Sequence, residues 1–537
     1  MKKVTAVFLV ACVTLGFLIG LNVPRQGHTY IINNTDNKLG EILNNIQARY
    51  VEETDIDSII EKSIPKVLEE LDPHSVYIPK NEVENSNSDL QSSFCGIGIR
   101  FTIQEDTLHI NDVIRSGPSE KVGMLAGDRI IKINDTLFVG KDVCTNSAAL
   151  KKLKGERGSY VKVSVERYGE KDLLEFNIRR DDIPVESIEA TYMINDKWGY
   201  VQVERFAENT YAEFIQALAQ FMAWNAKGII IDLRGNGGGY MGVALEMANQ
   251  FLDRDEMIVY TEGFNSPKNE ERANGYGLFK KTPLVVLVDE TSASASEILA
   301  GTIQDNDRGT IIGRRTFGKG LVQQPIELKD GSSMRLTIAR YYTPSGRCIQ
   351  KPYTKGDNKE YAMDLIERYN RGEFFSEDSI HFNDSLIYKT RNGRIVYGGG
   401  GIMPDIFISS DTVDMTKYTQ EAFSRGLIAR YAMKYCDANR PVLSKFKTHE
   451  ALTAHLNTKP IVEDFVSFAD GKGLKPNAQQ IAKSRKIIRR ALYSNIIYQM
   501  AGMLEHVKYV NLDDPAVLKA IEVLDKGEAY PKAPDNN

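Results

Sequence analysis

An uncharged, mostly apolar run from Val4 to Pro24 follows Lys2 and Lys3, and it is just long enough to cross a hydrocarbon core of about 30 Å as a helix. Leu18-Ile19-Gly20-Leu21-Asn22-Val23 offers no small-residue cleavage site, so an uncleaved anchor is expected rather than a removable signal peptide. Leu9-Val10-Ala11-Cys12 has the look of a lipoprotein box, but the run continues beyond Cys12 and suits a span better. The paired lysines would remain cytoplasmic, which puts the rest of the chain outside the cytoplasm.

Beyond a polar linker, Leu39, Ile42, Leu43 and Ile46, then Ile56, Ile59, Ile60, Ile64, Val67, Leu68 and Leu71, recur at helical spacing until Asp72-Pro73. From about residue 94 to 180 the pattern changes to short strands, at 98–102, 108–113, 129–133 and 160–166, with one helical stretch at 146–153. Turn clusters such as Ser116-Gly117-Pro118 and Ala126-Gly127-Asp128 separate them. Strands then alternate with helices: Gly228-Ile229-Ile230-Ile231-Asp232 leads through a glycine-rich loop to a helix at 242–252. Leu284-Val285-Val286-Leu287-Val288-Asp289 leads likewise to a helix at 296–304. The remainder is polar and helical, at 421–435 and 478–507, and its expected role is packing or oligomerisation. The predicted architecture is α+β and multidomain, with an anchor or signal at 1–25, a helical region at 35–85, a β module at 90–182, an α/β core at 185–410 and a helical region at 411–537.

A length of 537 residues agrees with several domains, and 42 % hydrophobic with 26 % charged residues excludes both a wholly disordered chain and a polytopic membrane protein. The formal charge of -5 gives no basic bias toward phosphate, so no nucleic-acid partner is expected. Cys12, Cys95, Cys144, Cys348 and Cys436 form no C-x-x-C pair; only Cys95 and Cys144 share a module, where a disulfide is an alternative to free thiols. The histidines include no H-E-x-x-H, and none falls between Ile110 and Ile380. Neither a metal nor a cofactor is expected.

Thr291-Ser292-Ala293-Ser294-Ala295-Ser296-Glu297 lies where a buried strand turns into a helix, a place that suits a nucleophile as well as a helix cap. A serine nucleophile requires a base, and this region holds no histidine. It does hold Phe317-Gly318-Lys319-Gly320, either a surface turn or a lysine that accepts a proton once burial lowers its pKa toward roughly 7 or 8. Asp232-Leu233-Arg234-Gly235-Asn236-Gly237-Gly238-Gly239 is either a plain turn or a loop that turns backbone N–H groups toward an oxyanion. Without G-x-x-x-x-G-K-[ST], phosphate cradling is not expected.

Together these segments resemble the carboxyl-terminal processing protease (tail-specific protease) family of serine peptidases. The likeness runs from Leu71-Asp72-Pro73-His74-Ser75-Val76-Tyr77 through Asp232-Leu233-Arg234, Gly238-Gly239, Ser292 to Glu297 and Phe317 to Gln323. It continues into Tyr341-Tyr342-Thr343-Pro344-Ser345-Gly346-Arg347, Gly400-Gly401-Ile402 and Pro404-Asp405. The resemblance implies Ser294 as nucleophile, Lys319 as general base and Gln323 as the residue that orients the lysine. The N–H of Ala295, with that of Gly238 or its neighbour Gly239, would form the oxyanion hole. It also implies a PDZ domain inserted before a crotonase-like (ClpP/crotonase-type) β-superhelix protease core. Gly96-Ile97-Gly98-Ile99 would be the loop that binds the terminal carboxylate of a substrate tail added as a β-strand. Gly237 stands where the family commonly has proline, and Lys154 where it usually has arginine, which lacks a counterpart in lysine's single charged point.

The expected activity is therefore a Ser-Lys endopeptidase that cleaves near the C-terminal tails of extracytoplasmic proteins, anchored to the inner membrane by one N-terminal segment and facing the periplasm. Its partners would be those tails and the membrane, with self-association left open. The alternatives are a PDZ scaffold without catalysis, against which the full Ser294, Lys319 and Gln323 set argues, and a crotonase-type acyl-CoA enzyme, which explains neither the β module nor the export segment.

Overall fold

Strands that are apolar at every position need cover on both faces, and the α/β core supplies it. The computed structural model describes residues 37–532 apart from 89, 90, 92, 382, 411 and 412. Gly228–Asp232 and Leu284–Val288, buried throughout, are central neighbours in a six-stranded sheet. Its order is Ile188–Ile194, Trp198–Val203, Gly228–Asp232, Leu284–Val288, Thr310–Gly313 and Ile406–Phe407; the first pair is antiparallel and the others are parallel. Alternate side chains point to opposite faces. Ile229, Ile231, Leu284 and Val286 meet the helices Thr210–Ala223, Met241–Asn249 and Ala295–Asp305. Ile230, Val285 and Leu287 meet Val517, Ala520 and Leu524 of the last helix, Pro515–Lys526. A helix expected to belong to a separate C-terminal region is thus one layer of the core, because its apolar stripe matches the face that the other helices leave bare.

A second sheet of five strands holds Val76–Ile78, Ser333–Tyr342, Met257–Gly263 and Ser266–Arg272, with Leu321–Glu327 also paired to Ser333–Tyr342. It draws the end of the N-terminal helical unit into the core. That unit begins with the helices Lys38–Arg49 and Ile56–Glu69, which carry the two sets of helically spaced apolar residues.

The β module has the expected strands at Ile99–Gln104, Thr107–Val113, Arg129–Ile133 and Tyr160–Glu166, and the helix Asn146–Leu153. It adds Leu174–Arg179 to the sheet, while Ser93–Gly96 and Asp181–Pro184 pair where the chain enters and leaves. Ile99–Gln104 is an edge strand. Every described cysteine is a free thiol, so the Cys95–Cys144 bridge is not formed. Cys95 lies on the entry strand, whereas Cys144 is enclosed in the module's apolar core.

Glycines interrupt the two long C-terminal helical patterns. Gly426, at φ 65°, separates Lys417–Ser424 from Leu427–Leu443, and Gly502, at φ 86°, separates Ala478–Ala501 from Met503–Asn511. This region also holds the β module: Arg129 Nη2 lies 3.0 Å from Asp437 Oδ2, and Lys472 Nζ 2.9 Å from Glu105 Oε1. The expected anchor at Val4 to Pro24 lies outside the described residues, among which no helix is long and apolar enough to cross a membrane. If the last helix is a true core layer, Leu524→Ala will destabilise the core by about 2–4 kcal/mol in chemical denaturation, as for other buried leucines.

Candidate active site

Ser294 is the N-cap of Ala295–Asp305 and has φ 56° and ψ −113°, a left-handed backbone that costs a non-glycine residue about 1–3 kcal/mol. Its neighbours hold it there. Ser292 Oγ donates to Leu233 O at 2.8 Å and Ser296 Oγ to Asn236 O at 2.9 Å, so the outer serines fasten this turn to the glycine-rich loop. Both are fully buried; Ser294 between them is only half-buried.

Glu297 is the hub. Its Oε2 accepts the N–H groups of Ser294 and Lys319, each at 2.8 Å; its Oε1 accepts Gly318 N at 2.7 Å and Thr316 Oγ1 at 2.6 Å. One carboxylate therefore fixes the backbones of both expected dyad members. Burial raises the Glu297 pKa to about 7, against the pull of these four hydrogen bonds. On the carbonyl side, the fully buried Tyr341 hydroxyl reaches Ser294 O at 3.2 Å and also Lys319 O.

Lys319 Nζ donates to Gln323 Oε1 at 3.0 Å, and Gln323 Nε2 donates to the backbone carbonyl of His74. Burial, then the nearby Arg335 guanidinium, holds the Lys319 amine below the ordinary lysine pKa, although Glu297 and Asp72 oppose the shift. The buried Asp72 carboxylate accepts His74 N at 2.8 Å, Ser75 N at 2.9 Å, Ser75 Oγ at 2.6 Å and Thr337 Oγ1 at 3.0 Å, which pins the turn that presents this carbonyl. His74 Nε2 lies 2.8 Å from the Tyr361 hydroxyl, and burial followed by the charge of Lys319 pushes its pKa down to about 4. A histidine does reach the site, from the N-terminal unit, but as a neutral ring beside the lysine.

In the glycine-rich loop, Asn236 Nδ2 donates to Val203 O at 2.8 Å while its Oδ1 accepts Gly238 N at 2.8 Å. Gly238 has φ 102°, and a Cβ there would stand 2.8 Å from Ser294 Cβ and 3.0 Å from Ala295 N. At Gly239, φ 146°, a Cβ would fall 2.2 Å from Phe206 O. Both positions require glycine. The structure thus brings Ser294, Ala295, Gly238, Lys319 and Gln323 together, with the Gly238 N–H already engaged by Asn236. Gly237 has open space where a Cβ would point.

The expected tail-binding loop Gly96, Ile97, Gly98 and Ile99 lies apart from these residues, in the β module. Gly98 has φ 75°, Ile97 O accepts Ser119 N at 3.0 Å and Ser119 Oγ at 2.7 Å, and the edge strand that starts at Ile99 has one side unpaired in the sheet. Lys154 places its ammonium 4.7 Å from the centre of the Phe94 ring. Among the described residues, one group has metal-ligand spacing, His449 with Glu450 and Glu505; His449 Nδ1 and Lys508 Nζ already bond to Glu505, at 2.9 and 2.7 Å.

Sequence reasoning assigned no role to Glu297, Tyr341, Asp72 or His74. Only Glu297 carried a local signal, the S-x-x-E spacing of a capping box from Ser294.

Three family profiles match parts of the chain. The profile of peptidase family S41 matches residues 197–359, that of the PDZ domain 95–178, and that of a family of unknown function 418–502. The carboxy-terminal processing protease CtpA of Bacillus subtilis (strain 168) is 31% identical over 390 residues, covering 70% of this chain and 82% of that protein. CtpB, a carboxy-terminal processing protease of the same strain, is 35% identical over 331 residues, covering 61% and 67%. Among solved structures, a photosystem II D1 C-terminal processing protease aligns over 69% of this chain and 92% of its own, at 24% identity and a TM-score of 0.36.

Glu297→Gln puts an amide donor against groups that themselves donate, and kcat should fall by about 100-fold. Parent activity should decline as pH falls below about 7 and Glu297 gains a proton. Stability should run the other way. Because the folded pKa exceeds the ordinary 4.5, this group's contribution is full below pH 4.5 and is lost as pH rises through about 7. Thermal unfolding between pH 4.5 and 8 should show that component in the parent and not in Glu297→Gln.

Proposed function

The chain belongs to peptidase family S41, among the carboxy-terminal processing proteases, and on that basis we propose a Ser-Lys endopeptidase that cleaves near the C-terminal tails of its protein substrates. The serine-type peptidase core is accompanied by a PDZ domain. Lys319, neutral, takes the Ser294 proton as Oγ attacks the scissile carbonyl, and the Ala295 N–H with one from the Gly238-Gly239 pair holds the oxyanion. Lys319 then protonates the leaving amine. Water, activated by the same lysine, releases the acyl group.

The shared Glu297 carboxylate carries this reading, because it ties Ser294 and Lys319 to one rigid support while Gln323 holds the amine. With the Gly238 N–H bonded to Asn236, Gly239 supplies the second oxyanion donor in this reading, or Gly238 does so after its bond to Asn236 opens. The tail adds to the unpaired side of Ile99–Gln104 with its carboxylate at the Gly96–Ile99 loop, a mode supported by that strand's place at the sheet edge. Repeated strand–loop–helix units support a crotonase-like superhelix as the core's fold type. Anchoring through Val4 to Pro24 and extracytoplasmic substrates follow from the sequence of that segment, and fractionation of cells that produce the full chain tests both.

Purified Ser294→Ala and Lys319→Ala proteins should each lose about 10³-fold or more in cleavage of a tail-bearing substrate and still bind the tail. Cleavage at the parent rate by either variant would refute the dyad. Tail binding by a parent that cleaves nothing would instead favour a scaffold.

A further inference from the structure

The glycine-rich loop beside Ser294 is held in part by the last helix of the chain, far from it in sequence. Arg234, its first charged residue, engages two carboxylates at once. Its Nε lies 2.9 and 3.1 Å from the Asp232 oxygens and its Nη2 2.6 Å from Asp232 Oδ2, while Nη1 donates to both Asp514 oxygens, at 3.0 and 2.9 Å. Asp232 is fixed independently, since Tyr200 Oη donates to its Oδ2 at 2.7 Å. Asp514 is fixed as the N-cap of Pro515–Lys526, where its Oδ1 accepts Ala516 N and Val517 N, each at 3.0 Å. That helix is itself locked onto the core sheet. Two residues after Arg234, Asn236 O accepts Ala293 N at 3.1 Å and Ser296 Oγ at 2.9 Å, so the same loop adjoins the Ser294 turn.

Gly235, Gly237, Gly238 and Gly239 give this loop much backbone freedom to lose on ordering. A loop that must present N–H groups in one orientation therefore needs anchors at its ends. Arg234 supplies one, and its planar fork reaches both carboxylates where lysine could not. We propose that Asp514 is a positioning residue: by gripping Arg234 it fixes the loop 235–239 beside Ser294, so that the C-terminal helical region completes the active site. This rests on the reading of that loop as the source of oxyanion donors.

Asp514→Asn tests it in the full-length protein, because asparagine caps a helix about as well as aspartate but carries no charge for Arg234. The expected result is a kcat about 10-fold lower with KM within about twofold, a smaller loss than the ~10²–10³-fold from deleting an oxyanion donor. Amide exchange at 235–239 should quicken, and affinity for a tail peptide should not change. In an Arg234→Lys background the same substitution should have little further effect, since the partner it acts through is gone. An unchanged kcat, unchanged exchange at 235–239, or an equal loss in the Arg234→Lys background would each overturn the proposal. A parent that cleaves no tail-bearing peptide overturns the peptidase reading instead, and the exchange measurement then decides the coupling alone.

Discussion

A carboxylate with no exposure to water and no cation bonded to it is costly, and Glu297 shows how this fold tolerates one. Loss of hydration works against the ion by several kcal/mol. Four donors oppose that loss without cancelling it. The pKa of about 7, above the ordinary 4.5, reflects burial outweighing those bonds. Three of the donors are backbone N–H groups, one from the Ser294 turn and two from the later Gly318-Lys319 bend, and each would be an orphan without this acceptor. The left-handed turn at Ser294 and the bend at Gly318-Lys319 are therefore consequences of a single anion, with the Tyr341 hydroxyl closing the carbonyl side.

Around this hub the chain contributes from four places. The strand Gly228–Asp232 delivers the glycine-rich loop, Leu284–Val288 delivers Ser294, Leu321–Glu327 carries Gln323, and the N-terminal unit delivers the His74 carbonyl. The second sheet makes the last contribution possible, since Val76–Ile78 pairs with Ser333–Tyr342 directly after the turn that Asp72 pins. A buried acid thus organises each side of the lysine: Glu297 for its backbone and Asp72, through His74 and Gln323, for its amine.

The parts of this arrangement that lie within one strand–loop–helix unit were legible in the sequence. Apolar runs at 228–232 and 284–288 marked buried strands, and the serine and glycine clusters after them marked exposed turns. The lack of a histidine nearby points to Lys319 along the chain but not in space, because His74 enters from another unit. Gln323 came only through family resemblance, since a glutamine on a strand has no pattern of its own. The remaining supports are tertiary. Nothing local separates Asp72 from any acid before a proline, or the stripe of Val517, Ala520 and Leu524 from those of its neighbouring helices. The breaks at Gly426 and Gly502 were readable as glycines but not as stops, because apolar spacing continues on both sides.

The order in which the chain is made gives the last helix a further consequence. Until residues 515–526 emerge, the face formed by Ile230, Val285 and Leu287 lacks most of its helical cover, and the core sheet remains an open apolar surface. A nascent polypeptide can close the apolar core of its β module early, yet the catalytic half must wait for the last helix. A chain that stops before residue 515 is thereby left with that apolar face of the sheet largely bare.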